Sequence, residues 1–232
     1  MSLILLIETA TTSCSVALAS TEKVIALREL NQRNVHAEVI TIYIDELFKE
    51  TGKHYNELSA ITVSSGPGSY TGLRIGVSTA KGLCFSLDKP LIAIETLTAM
   101  AHGLIERGEV AIEDNTLLCP MIDARRMEVY TAVFDRAGKL VKPTAAEIID
   151  EHSFADLLAE KKVIFFGDGA EKCKAILDHH PNATFVTDFI NSAKDMLVPA
   201  LAKLSAQQFE DIAYFEPYYL KDFIAGVKKV DA

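Results

Sequence analysis

Short continuous apolar runs alternate along this chain with longer stretches of helical period. Leu3 to Ile7 is unbroken apolar sequence ending in Glu8-Thr9, the pattern of a central strand covered on both faces. Ser15 to Ala19 and Val24 to Leu27 follow as strands on either side of the polar turn Ser20-Thr21-Glu22-Lys23, which predicts a three-strand meander. Val35 to Lys49 reads as a helix stopped near Gly52, and Ile61 to Ser64 as a short strand. A glycine-rich turn then leads into a helix from Tyr70 to Leu87. Leu91 to Ile94 reads as a strand behind Pro90, and Thr96 to Arg107 as a helix.

A second series opens in the same way. Leu117 to Ile122 is an apolar strand ending in Asp123, and Glu128 to Phe134 and Leu140 to Lys142 continue a meander across the turn Asp135-Arg136-Ala137-Gly138. Ser153 is placed as the cap of a short helix. Val163 to Phe166 is a buried strand opening into Gly167-Asp168-Gly169-Ala170 and another helix. Phe185-Val186 is a short strand, and Ala193 to Phe209 a final helix. Each series therefore begins with a meander whose first strand ends in an acid, Glu8 or Asp123, and then alternates helices with strands. That order predicts an α/β protein of two related subdomains, 1–107 and 108–232, each with a mixed sheet. The polar stretch from Arg107 to Asn115 marks the boundary, and the closing helix has the option of packing back onto the first half.

Composition narrows the function classes. The chain has 232 residues, 49% hydrophobic and 24% charged, with a net charge of −9. This is an ordinary balance for a folded chain and excludes a disordered or collagen-like one. An acidic chain repels phosphate backbones, so DNA binding is not expected and RNA is expected only beside a basic partner. Cys14, Cys84, Cys119 and Cys173 form no CxxC pair and read as small buried hydrophobes in a reducing compartment. No apolar run reaches the ~18 to 20 residues of a membrane span, and Met1 to Thr9 reads as a strand rather than a signal segment. A cytoplasmic location is the expectation.

The densest motif is Ser64-Ser65-Gly66-Pro67-Gly68-Ser69-Tyr70-Thr71-Gly72-Leu73-Arg74-Ile75-Gly76, which holds four of the 12 glycines. It lacks the Lys of a Walker loop, and its GxGxxxG spacing is not the dinucleotide fingerprint. A generic anion nest ahead of a helix remains one reading. The other is steric: Gly72, Gly76 and Ala80 recur every four residues and line one helix face. Each helical glycine costs about 1 kcal/mol relative to alanine, a cost carried where another backbone approaches closely. Leu73, Val77, Cys84 and Leu87 form an apolar ridge beside that groove. Whether the neighbour is internal or a second chain is open at this point. The preceding helix carries Val35, Ala37, Val39, Ile40, Ile42, Tyr43, Ile44, Leu47 and Phe48 around nearly its whole circumference. A surface helix normally shows one apolar stripe, so contact on two sides is expected, with a fully internal helix as the alternative.

No catalytic set emerges. Among His36, His54, His102, His152, His179 and His180 there is no HxxxH or HExxH pair, so no helix offers two imidazoles one turn apart to a metal. His179-His180 read as a solvated helix end. No GxSxG elbow stands out. Asp123, Arg125 and Arg126 form a charged cluster that salt pairing explains as well as catalysis does. Gly167-Asp168-Gly169, paired with Glu8-Thr9 across a cleft between the halves, is a candidate nucleotide-facing set.

These residues carry a resemblance. Ile7-Glu8-Thr9-Ala10-Thr11 with Ser15-Val16-Ala17-Leu18, the Ser65 to Gly76 block, Asp123-Ala124-Arg125-Arg126 with Val129-Tyr130, Gly167-Asp168-Gly169 and Pro217-Tyr218-Tyr219-Leu220 together resemble the bacterial TsaB (YeaZ) family over essentially the whole chain. The resemblance implies an actin-like ATPase (ASKHA) fold. It also implies a non-catalytic scaffold subunit in the synthesis of N6-threonylcarbamoyladenosine at adenosine 37 of tRNAs reading codons that begin with A. The implied partners are a catalytic paralogue, TsaD, and a small ATPase, TsaE, with a homodimer when the chain is alone and tRNA reached only through the complex. No cofactor is implied for this chain, while the complex uses ATP and Mg. The paralogue's HxxxH metal site has no counterpart: Thr96 and Met100 stand where the imidazoles would be. Partner binding in the family uses the two helices singled out above, which carries over onto Val35, Val39, Ile42, Tyr43, Glu46, Gly72, Leu73, Gly76, Val77, Ala80 and Cys84. Two departures are Glu8, where many relatives have Asp, and Tyr70, where Phe is common. The rival from the enzyme class is a free-standing actin-fold ATPase or kinase using Glu8, Thr9 and Gly167 to Gly169.

Overall fold

Two five-stranded sheets of the same internal order organise the chain. A computed structural model describes residues 2–221; residues 222–232 of the second subdomain expected from the sequence lie outside them. In the first sheet β1 (Leu3–Glu8) is central, with β2 (Ser13–Ser20) antiparallel on one side and β4 (Leu58–Gly66) parallel on the other. The edges are β3 (Val24–Asn31) and β5 (Leu91–Glu95), giving the order β3-β2-β1-β4-β5. The six residues of β1 are all buried, which is why its sequence is a continuous apolar run rather than an alternating one.

The second sheet repeats the plan. Here β6 (Thr116–Asp123) lies between antiparallel β7 (Glu128–Phe134) and parallel β9 (Lys162–Phe166), with β8 (Leu140–Ile148) and β10 (Ala183–Val186) at the edges. The β7–β8 turn is closed by Asp135, whose Oδ1 accepts from Ala137 N and Lys139 N, both at 2.9 Å. β8 runs well beyond the three residues expected from sequence.

Helices cover the sheets. On the first, α1 (His36–Thr51) and α2 (Tyr70–Leu87) pack against a core that includes Leu5, Ile7, Val16, Ile40, Ile44, Leu47 and Val77. Between the sheets lies α3 (Thr96–Arg107). Its Ala99 packs on Ile4, Leu6 and Ile92 of the first sheet. Leu97, Met100, Ala101 and Leu104 pack on Leu118, Ile122, Ala132 and Phe166 of the second. In the second half, α4 (Ala155–Glu160) and α5 (Ala170–Leu177) cover the far face.

The chain then returns to the first sheet. Ser192 caps a 3-10 turn (Ala193–Met196) that continues into α6 (Leu197–Ser205). Ala193, Met196 and Ala200 join the cluster around Ile4, Leu6 and Ile92. Lys203 Nζ donates to Ala93 O at 2.7 Å, and Glu210 N donates to Leu91 O at 2.9 Å.

Two sequence expectations need correction here. The last helix ends at Ser205, not Phe209, because Gln207 takes φ 53° and the chain turns to bridge Leu91. Ser153 caps no helix: its hydroxyl bonds Asp150 at 3.0 Å, and Phe154, in the left-handed region at φ 62°, precedes α4. All four cysteines are free and buried. Burial pushes the thiols of Cys84 and Cys119 up to about 12, so neither supplies a thiolate near neutral pH.

Candidate functional site

The glycine-rich segment closes over the end of β1. Ser69 N donates to Ala10 O at 2.6 Å, and the Ser69 hydroxyl caps α2 by accepting from Gly72 N at 3.3 Å. A Cβ at Gly68 would lie 2.3 Å from Ala10 O, and one at Gly72 2.1 Å from Thr9 O. The steric reading of the glycines therefore holds, and the neighbour is internal: the backbone of residues 9 and 10, not another helix. Gly72, Leu73, Gly76, Val77, Ala80 and Cys84 are all buried within this chain. This corrects their expected place in a partner interface, because their surfaces are already used by β1, β4 and α1.

Glu8 and Thr9 lie beneath that closure, both wholly buried. Glu8 Oε1 accepts from Ala10 N at 2.6 Å and from the Ser64 hydroxyl at 2.9 Å, while Oε2 is buried with no hydrogen-bond partner. Burial, with a smaller contribution from the Asp195 charge, pushes the Glu8 carboxyl up to about 7 against these hydrogen bonds. Asp195 itself is pushed up to about 6, because burial outweighs the Arg107 guanidinium 2.8 Å away.

Three amides beside Glu8 are turned inward. The amides of Thr9, Ala10 and Ser69 are spent on Ser64 Oγ, Glu8 Oε1 and Ala10 O. A phosphate at a nest needs such amides free. In the second half, Gly169 N donates to Met121 O at 3.0 Å, and a Cβ at Gly167 would lie 2.5 Å from Met121 O. Gly167 and Gly169 thus let their turn approach β6. Asp168 Oδ1 accepts from Asp123 N at 3.0 Å. The hydrogen-bond partners of Glu8 and Thr9 lie in the first half and those of Asp168 in the second. The cavity of about 230 Å³ beside Ser65 is lined by Glu95, Glu210 and Glu216 against Lys203, the wrong balance of charge for a polyphosphate.

A strap crosses the closed loop. Tyr218 N donates to Ser65 O at 2.7 Å, and the Tyr219 ring lies 4.9 Å from that of Tyr70. Gly66, at φ 115°, sits where a Cβ would be 2.6 Å from Tyr218 O. Lys221 pairs with Glu128 on β7. The sequence reading noted Pro217 to Leu220 as a motif, but its course over Gly66 depends on chain ends far apart in sequence.

On the two helices expected to dock a partner, the solvent-exposed side chains lie on the outer faces of α1 and α2. Ile40, Ile44, Leu47 and Phe48 face inward, while Val39 and Tyr43 are half-buried and Glu46 is exposed. Val35, expected at the interface, is buried at the start of α1, and His36 Nε2 lies 2.9 Å from Thr11 O. Ile42 is 53% exposed and Phe85, on α2, 85% exposed. A groove of about 330 Å³ between the helices is lined by Thr41, Ile44, Tyr55, Ser78, Thr79, Gly82 and Leu83. Sequence reasoning missed Phe85. The available signal was an aromatic on the face that otherwise carries Thr71, Arg74, Ser78 and Gly82.

Residues 23–229 match the family model described as "TsaD: tRNA N6-adenosine threonylcarbamoyltransferase". The chain is 39% identical over 127 residues to "tRNA threonylcarbamoyladenosine biosynthesis protein TsaB" of Haemophilus influenzae, covering 55% of this chain and 51% of that one. It is 32% identical over 179 residues to the Bacillus subtilis protein of the same name, covering 75% of each. The chain belongs to the TsaB (YeaZ) family. It spans about half the length of the H. influenzae relative it matches.

Among solved structures, a Pseudomonas aeruginosa protein described as similar to peptidase YEAZ superposes with TM-score 0.81 at 25% identity, covering 95% of this chain and 100% of that one. The activator of the 2-hydroxyisocaproyl-CoA dehydratase from Clostridium difficile superposes with TM-score 0.51 at 9% identity, covering 90% of this chain and 98% of that one. This TsaB-family chain has the actin-like ATPase fold, with its two halves as the duplicated sheets. Thr96 and Met100 are both buried in it. Among the described residues no group of three His, Cys, Asp or Glu side chains is placed to hold a metal, and no helix is long and apolar enough to cross a membrane.

Proposed function

We propose that this chain is a non-catalytic subunit of the machinery that places threonylcarbamoyl on adenosine 37 of tRNAs reading codons that begin with A. It docks on a TsaD-type catalytic paralogue, with a TsaE-type ATPase joining the complex and ATP and Mg used there. Family membership and the printed names of the relatives support the pathway. The observation that carries docking is the exposure of Ile42 and Phe85 on adjacent helices, 53% and 85%. Large apolar side chains left open beside a groove mark an interaction face. A homodimer through the same face is the state proposed when the paralogue is absent.

Two observations support a non-catalytic role. The acid at the end of β1 is wholly buried, and the amides of Thr9, Ala10 and Ser69 donate within the chain. Both weigh against the open phosphate-facing loop that a free-standing ATPase or kinase requires. Sedimentation of the purified chain, alone and mixed with the paralogue, tests the docking face. Phe85→Asp with Ile42→Asp is expected to leave a folded monomer that no longer binds the paralogue. Wild-type affinity in that variant would overturn the assignment.

A further inference from the structure

The hairpin turn between β6 and β7 carries two arginines in a conformation that side chains rarely adopt. Arg125 has φ 73° and Arg126 φ 49°, both in the left-handed region favoured by glycine and asparagine. The turn is held shut by Ala124 N donating to Glu128 O and Glu128 N donating to Arg125 O, both at 3.1 Å. Asp123 Oδ1 accepts from Arg125 N at 2.9 Å. Residues held this way persist where the surroundings over-determine them, and such positions cluster at functional sites.

The sequence reading allowed salt pairing to explain this cluster. The structure shows the opposite for the arginines. Asp123 pairs with Lys172, and Glu128 with Lys221. Both nearby carboxylates are thus taken by lysines. Arg28, Arg107 and Arg136 pair with carboxylates, and Arg74 lies over the Tyr70 ring. The guanidinium groups of Arg125 and Arg126 are exposed and make no ion pair or hydrogen bond among the described residues. A chain of net charge −9 therefore displays two adjacent guanidinium groups without a partner among the described residues, beside the strap in which Lys221 pairs with Glu128.

We propose that the β6–β7 turn is an RNA-backbone contact in which Arg125 and Arg126 hold phosphates of the tRNA. This rests on the tRNA-modification reading above. Guanidinium forks match phosphate oxygens bidentately and stay charged at any working pH. A protein partner is disfavoured, because docking sites centre on exposed apolar or aromatic anchors. Ala124 and Met127, the other turn residues, are half-buried. Ile148, which pairs with Glu128 on the neighbouring strand, is 75% exposed, but the exposed apolar side chains that flank a groove, Ile42 and Phe85, lie on α1 and α2. A contact by phosphate alone positions RNA without reading its sequence, which suits a subunit serving several tRNAs.

The test is fluorescence anisotropy of a labelled, unmodified tRNA transcript with the full chain assembled on TsaD-type and TsaE-type proteins, titrated at several salt concentrations. R125N/R126N keeps residue types tolerant of the left-handed turn and removes both charges. The variant is expected to assemble normally in gel filtration and to bind tRNA about 3- to 10-fold more weakly, with a salt slope shallower by about 1 to 2. R125K/R126K is expected to keep most of the affinity. Unchanged affinity and slope in the assembled Asn variant overturn the contact, as does equal loss in the Lys variant. Loss of assembly by the Asn variant would show that the turn docks protein, and also overturns it. Failure of the wild-type chain to assemble is a separate outcome, which removes the tRNA-modification reading and this inference with it.

Discussion

Gly76 lies directly over Thr9: a Cβ there would stand 2.2 Å from the Thr9 hydroxyl oxygen. One turn earlier, a Cβ at Gly72 would stand 2.1 Å from the Thr9 carbonyl oxygen. The difference between the two obstacles makes a stability prediction. A side chain can rotate aside, whereas a carbonyl at the end of a buried central strand cannot. Gly72→Ala is expected to lose about 1 to 3 kcal/mol through overpacking, despite a gain of about 1 kcal/mol in helix propensity. Gly76→Ala is expected to lose less. Urea unfolding of both variants checks the order, and equal or greater loss at Gly76 would contradict it.

Phe85 is expected to behave in the opposite way. Because it is 85% exposed, Phe85→Ser should change folding stability by no more than about 0.5 kcal/mol. It should still weaken self-association and paralogue binding by about tenfold or more, as an exposed aromatic anchor would. Calorimetry paired with sedimentation separates the two effects. A large stability loss with intact association would place Phe85 in the fold rather than in an interface.

Glu8 makes a pH prediction. Its carboxyl moves from 4.5 to about 7 on folding, chiefly by burial. Between these values the folded chain keeps a proton that the unfolded chain has released, so stability falls as pH rises across that window and levels off above it. A shift of this size corresponds to about 3 kcal/mol. Asp195, raised from 3.8 to about 6, adds a smaller slope of the same sign at lower pH. Glu8→Gln is expected to flatten the decline between pH 5 and 7 in chemical denaturation, leaving the Asp195 contribution. An unchanged profile would mean that Glu8 is ionised in the folded chain.

Arg107 and Asp195 join α3 to the returning 3-10 turn, with side-chain exposures of 17% and 3%. Removing the cation leaves a buried carboxylate unpaired, and Arg107→Ala is expected to cost about 3 kcal/mol or more. The loss should be larger at pH 8 than at pH 5, because protonation relieves Asp195 at the lower value. Thermal unfolding at the two pH values checks this, and equal losses would contradict it.

Much of this architecture is legible in local pattern. The all-buried run of β1, the helical period of α2 and the Asp-Arg-Ala-Gly turn before β8 each state their element directly. The small-residue stripe on α2 was also readable as a demand for close approach. Its neighbour was not, because Thr9 and Ala10 reach Gly72 only through the β1–β4 pairing. The same limit hid the strap, since Tyr218 meets Gly66 across most of the chain length. It also misplaced buried residues of α2 in an interface, because burial inside the chain and burial against a partner leave the same apolar pattern. Ser153 failed for a local reason: Asp150, three residues earlier, took its hydroxyl.

The most direct test is threonylcarbamoylation of tRNA in a purified mixture of the adenylate-forming enzyme, the TsaD-type paralogue and the TsaE-type ATPase, with and without this chain. The expected result is modification only when the chain is present, restored by wild type and not by Phe85→Asp with Ile42→Asp, while the chain alone neither hydrolyses ATP nor modifies tRNA. Modification at the same rate without the chain, or full rescue by the double variant, would contradict a scaffold acting through the exposed face of α1 and α2.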